Sequence, residues 1–120
     1  MTAKERGSWG EEQAVLHLER HGYAVIARNE RSRFGEVDII ASKGDIAAFV
    51  EVKLRGRRAI AAAREFVDAR KQRKVRNMAA MWLAKQKREW QVRFDVIEIH
   101  ATSSDPPELI RIEHIENAFE

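Results

Sequence analysis

Asp38, Glu51 and Lys53 stand inside apolar runs where a hydrophobic core would ordinarily refuse them. The runs are Gly35-Glu36-Val37-Asp38-Ile39-Ile40-Ala41 and Ala47-Ala48-Phe49-Val50-Glu51-Val52-Lys53. Two carboxylates brought together in a half-buried sheet repel and lose solvation, so something cationic is expected between them. A divalent ion such as Mg²⁺, or Mn²⁺ in its place, is held by one or two carboxylates and keeps several waters, one of which can act as a nucleophile. A lysine two residues from Glu51 could orient that water or neutralise charge on a reacting phosphate. The chemistry implied is metal-assisted phosphodiester hydrolysis.

The element that must position these groups is a hairpin. Each run is rich in β-branched residues, and Gly44-Asp45 in the connecting Ser42-Lys43-Gly44-Asp45-Ile46 suits a tight turn. With those two residues at the turn centre, Ala41 opposes Ala48, Ile40 opposes Phe49, Asp38 opposes Glu51 and Glu36 opposes Lys53. Opposed residues share a face, so Glu36, Asp38, Glu51 and Lys53 are expected on one side of the sheet, with Val37, Ile39, Val50 and Val52 on the other.

A helix precedes the hairpin, and two capping boxes compete for its start, Thr2-Ala3-Lys4-Glu5 and Ser8-Trp9-Gly10-Glu11. Glu11 heads a stripe with Ala14, Val15, Leu18 and Gly22, so its carboxylate is either a capping group or a site residue. His17 and His21 are spaced i, i+4 but lack an evident third metal ligand, and an exposed helix flank is the better reading. Gly22 ends the helix and Tyr23–Ala27 reads as a strand. The basic connection from Arg28 to Gly35 either reaches a phosphate or is a solvated loop.

Beyond the hairpin, Arg58–Phe66 is alanine-rich and reads as a short helix or a flap. Asp68 can cap a helix whose stripe is Val75, Met78, Ala79, Trp82, Leu83 and Gln86. Extended one turn back, that stripe turns Lys71 inward, either toward a phosphate or as a lysine whose stem covers the core edge. Trp90–Ile99 reads as a central strand in which Arg93 and Asp95 could pair, and Leu109–Ile112 as an edge strand followed by an apolar tail. Trp9, Trp82 and Trp90 are expected in or at the edge of the core.

At 120 residues the chain is expected to form one domain, residues 1–120, with an α/β architecture of a mixed sheet and packed helices. Its net charge is +3, yet from Arg55 to Arg76 there are nine basic residues against two acidic ones. Arg55, Arg57, Arg58, Lys71 and Lys74 are therefore candidate phosphate contacts, with a solvated basic face as the plainer alternative. The absence of cysteine removes disulfides, thiol nucleophiles and Cys-ligated zinc, and suits a reducing cytoplasm. No apolar segment approaches a membrane span, so no membrane partner is expected.

Gly10-Glu11, Ala14, Leu18, Gly22-Tyr23, Asn29, Gly35-Glu36-Val37-Asp38, Phe49-Val50-Glu51-Val52-Lys53, Arg55, Lys71, Arg93-Phe94-Asp95-Val96 and Ala118-Phe119 together resemble the YraN family of small bacterial proteins. That family is similar to archaeal Holliday junction resolvases and, through them, to restriction-endonuclease-like PD-(D/E)xK nucleases. The resemblance implies a central mixed sheet flanked by helices. It also implies that Asp38, Glu51 and Lys53 match the D…ExK core, with Glu11 as an additional acidic ligand on the first helix. Val37 stands where better-known members of that nuclease group often carry proline.

The expected activity is a Mg²⁺-dependent endonuclease acting on DNA, branched or otherwise structured. Asp38, Glu51 and Glu11 would be metal ligands, with Lys53 positioning water. A symmetric junction would suit a homodimer. The alternatives are a nucleic-acid-binding module that does not cut and an accessory subunit of a DNA-processing complex.

Overall fold

The protein is described from a computed structural model covering residues 1–56 and 67–120. Expectations for Arg57, Arg58 and the rest of 58–66 lie outside the described residues. Helix α1 spans Ala3–Arg20, and the strands are β1 (Ala24–Arg31), β2 (Glu36–Lys43), β3 (Ile46–Arg55), β4 (Gln91–Ala101) and β5 (Leu109–Phe119). Helix α2, Ala69–Ala84, lies between β3 and β4. The strands form one sheet in the order β1-β2-β3-β4-β5, with β3 and β4 parallel and every other pair antiparallel. This mixed sheet with helices on both faces is compatible with a restriction-endonuclease-like α/β fold.

The hairpin register follows from its turn. Gly44 takes φ +57°, and Lys43 pairs with Ile46, Ala41 with Ala48, Ile40 with Phe49 and Ile39 with Val50. Strand alternation then divides the core in two. Ile39, Ala41, Ala48, Val50, Ile97 and Ile99 pack under α1 with Ala14, Val15 and Leu18. Ile40, Ala47 and Phe49 face α2 with Val75, Met78 and Ala79. Neighbouring residues of β3 thus serve opposite cores, as a strand buried on both faces must arrange.

Helix α1 starts at the first capping box. Thr2 Oγ1 accepts from Glu5 N while Glu5 Oε1 accepts from Thr2 N, so Glu11 sits well inside the helix and has no capping role. Gly22, at φ +85°, follows the His21 cap as expected of a helix end. At the other helix start, Asp68 caps α2 by accepting from Lys71 N at 2.8 Å.

Two elements run longer than the sequence suggests. β1 continues through Arg28–Arg31, pairing Arg28 with Ile39 and Arg31 with Glu36, so only Ser32–Gly35 connects it to β2. It is an edge strand, and its polar side chains conceal the pairing because solvated faces require no apolar alternation. β5 likewise absorbs the apolar tail, ending with Phe119 stacked on Phe94 at 5.2 Å. No helix among the described residues is long and apolar enough to cross a membrane.

Candidate active site

The regular β2–β3 ladder ends at Ile39 and Val50, and the candidate site lies just beyond. There Asp38 Oδ2 accepts a hydrogen bond from Val52 N at 2.8 Å, supplying an acceptor to β3 where the ladder has stopped. The expected alternation breaks at this point. Val37 packs in the α2 core, whereas Ile39, Val50 and Val52 pack under α1. Asp38 itself lines a cavity of about 400 Å³ with Glu11, Asn29, Val52 and Leu54. The four charged side chains therefore do not share one face by simple pleating: Asp38 looks toward α1, while Glu51 meets Lys71 from α2. Asp38 and Glu51 nevertheless meet beyond the end of the ladder, where Asp38 acts on the Glu51 carboxyl.

Glu51 is almost completely buried, and its Oε1 has no hydrogen-bond partner among the described residues. Burial pushes its carboxyl up to about 9. The contact with Asp38 and that residue's charge add to the rise, and Lys71 and Lys53 pull the other way. An orphaned carboxylate oxygen beside a second carboxylate is the donor set a hard divalent cation takes. Asp38 and Glu51 thus fit such an ion.

Lys53 follows Glu51 by two residues on the same strand face and pairs in register with Glu98 of β4. Its ammonium makes no ion pair among the described residues, yet its charge acts on Glu51. Lys71 turns inward, with Nζ 3.0 Å from Glu36 Oε1 and 3.7 Å from Glu51 Oε1. Burial would lower its pKa, but Glu51, Glu36 and Asp38 outweigh that and raise it. Lys74 Nζ lies 3.5 Å from the same Glu36 oxygen. The Lys71 hydrogen bond in turn holds the Glu36 carboxyl below its ordinary value.

The structure brings Glu11 to the Asp38 cavity but already engages it. Its Oε1 accepts from Arg28 Nε at 3.0 Å and from Asn29 Nδ2 at 2.9 Å. Asn29 adopts φ +51°, in the left-handed region that asparagine tolerates. Arg55 is turned into the sheet, with Nε 3.3 Å from Glu98 Oε2. Sequence reading placed Glu36 on the site face without giving it a role. Its register opposite Lys53 was the available signal that it would meet the site's cations.

A second acidic group lies further along the sheet. One ligand atom each from Glu98, His100 and Glu113 lie within 4.8 Å of one another, a spacing that could hold a metal. There Arg55 already matches Glu98, and Arg111 Nη1 lies 3.2 Å from Glu113 Oε2.

The model of an uncharacterised protein family, UPF0102, matches residues 10–99, which include Glu11, Asp38, Glu51, Lys53 and Lys71. The chain is similar to a UPF0102 protein of Geobacter metallireducens, 45% identical over 98% of this chain and 93% of the relative. A UPF0102 protein of Rhodococcus opacus is 43% identical over 94% of each chain. Another, from Geobacter sulfurreducens, is 44% identical over 95% of this chain and 88% of that one.

Proposed function

The chain belongs to the UPF0102 (YraN) family, and from its own site we propose that it is a metal-dependent endonuclease that hydrolyses phosphodiester bonds in structured DNA in the cytoplasm. The observation that carries this reading is Glu51: a buried carboxylate oxygen with no hydrogen bond among the described residues, held beside Asp38 with Lys53 on the same strand. A purely structural site would satisfy that oxygen or replace it.

Asp38 and Glu51 would hold a Mg²⁺ or Mn²⁺ ion, with Glu11 in reserve behind Arg28. Such an ion supplies charge neutralisation at the phosphate and lowers the pKa of water. Lys53 positions the attacking water by hydrogen bonding and holds it against the phosphorus. Lys71 and Lys74 lie at the mouth of the site and offer their charge to the phosphate backbone once Glu36 releases them. Binding phosphate there exchanges one anionic partner for another, so both lysines stay compensated.

The test is to incubate the protein with a four-way junction, a flap, a single strand and a plain duplex in Mg²⁺, Mn²⁺ or chelator, beside a Glu51→Gln control. Cleavage that requires metal and disappears in the control is the expected result. A second reading is favoured by Lys71, which already places a cation 3.7 Å from Glu51: the site would then bind nucleic acid without cutting. Equal binding by wild type and control, salt-sensitive and with every substrate intact, would establish it instead.

A further inference from the structure

Phe34, in the four-residue connection between β1 and β2, is 63% exposed, the most exposed large apolar side chain among the described residues. An isolated exposed phenylalanine is unremarkable on a mobile loop, which can fold it away. This loop is clamped. Ser32 N donates to Gly35 O at 2.8 Å, and Ser32 Oγ accepts from both Phe34 N and Gly35 N at 3.2 Å. Asn77 Nδ2, from α2, donates to Phe34 O at 2.9 Å. Gly35 lies so close to α2 that an added Cβ would stand 2.4 Å from Lys74 O and 2.7 Å from Met78 N. The backbone that carries the ring is fixed against α2, and the ring itself stands in water.

Its neighbours are cations and the catalytic edge. The Arg33 guanidinium sits 5.5 Å from the Phe34 ring centroid, and Arg31, Arg33 and Lys74 line the same cleft as Phe34 and Glu36. Glu36 in turn shares Lys71 with Glu51. A flat apolar face with cationic side chains beside it is suited to a nucleobase with its flanking phosphates. In a continuous duplex both faces of every base are already stacked, so only an unpaired or extruded base can present one.

We propose that Phe34 is a stacking platform for an unpaired base next to the scissile phosphate, so that the substrate is DNA carrying a flap, gap or open junction rather than continuous duplex. This inference rests on the DNA reading above.

Binding is measured in chelator, where no cutting occurs, using a 5′ flap and a matched continuous duplex that carry 2-aminopurine at the branch position. Wild type is expected to bind the flap more tightly and to change its 2-aminopurine emission. Phe34→Ala is expected to lose roughly tenfold in flap affinity together with the emission change, and little in duplex affinity, while Phe34→Trp restores both. A melting temperature equal to wild type is the expected control, because the ring packs against little. Unchanged flap affinity and emission in Phe34→Ala would overturn the stacking role while leaving DNA binding intact. If wild type binds neither substrate, the DNA reading itself fails and the platform with it.

Discussion

Two buried acids on neighbouring strands are treated in opposite ways. Asp95 of β4 is fully buried on the α1 face, opposite Val50, and every lone-pair direction it offers is used. It accepts from Arg93 Nη2 at 2.7 Å and Nε at 2.9 Å, from His114 Nε2 at 2.8 Å and from Asn117 N at 3.0 Å. Burial would raise its pKa, yet the hydrogen bonds from His114 and Arg93 overcome it and hold the carboxyl below its ordinary value. The support extends outward: Arg93 also reaches the Tyr23 hydroxyl, and His17 Nε2 lies 3.3 Å from His114 Nδ1. Burial, with His21 and His114 beside it, lowers the His17 pKa to about 4, so that ring is a neutral spacer. Glu51, 2% exposed on the opposite face, has an orphaned oxygen and an ammonium no closer than 3.7 Å. The charge at Asp95 is satisfied by hydrogen bonds from within the protein, whereas the Glu51 carboxyl is held toward its protonated form.

The largest effect expected from this contrast is on stability. Asp95→Ala leaves Arg93 and His114 without their anion, a loss of about 3–5 kcal/mol, seen as a fall in melting temperature on the order of 10 °C. Glu51→Gln and Asp38→Asn should instead raise the melting temperature in chelator by several degrees, because each removes one of two adjacent carboxyls that cannot both ionise without cost, while both abolish metal-dependent cleavage. A destabilised Glu51→Gln would erase the distinction between the two acids.

The pH dependences should have opposite signs. The folded pKa of Glu51 lies above its unfolded value, so its contribution is fully present below about 4.5 and is lost as pH rises through about 9. Asp95 has a lowered folded pKa, so its contribution is present above the unfolded value near 3.8 and is lost as pH falls through the folded one. Chemical denaturation from pH 3 to 10 should show a decline on the alkaline side that Glu51→Gln flattens. The acid-side loss should persist in that variant.

A smaller effect separates the acids by ligand. Millimolar Mg²⁺ should raise the wild-type melting temperature by a few degrees and leave Glu51→Gln unmoved, since binding to the folded state alone stabilises as RT ln(1 + [L]/Kd). The smallest change is expected at Lys74→Ala, which should weaken DNA binding severalfold and reduce the salt slope by about 1 with no change in substrate preference.

The hairpin was legible because turn chemistry fixes register, and register predicts which side chains meet. Gly44 and the pairs from Ile39–Val50 to Lys43–Ile46 came from that rule alone. The rule stopped where the ladder stops. Nothing in a two-residue period foretells that the Asp38 side chain takes the place of a backbone acceptor for Val52 N, a tertiary event. Lys71 was correctly turned inward by helical periodicity, but its two carboxylate partners depend on how α2 crosses the sheet. The Asp95 network was half visible: Arg93 and Asp95 share a strand face, whereas His114 and Asn117 arrive from β5, which the sequence read as ending early.

The parallel pairing of β3 with β4 has a kinetic consequence. The β2–β3 hairpin closes over a two-residue turn and can form within microseconds, gathering Asp38 and Glu51 at once. Its ladder with β4 must wait for the chain across residues 56–90 to loop back, and long-range closures of this kind are slow. Lys71 travels with that crossover. Early in folding, then, the hairpin carries its two carboxylates without the lysine that later stands beside them, and refolding should accelerate when acid or a divalent cation relieves that interval of repulsion.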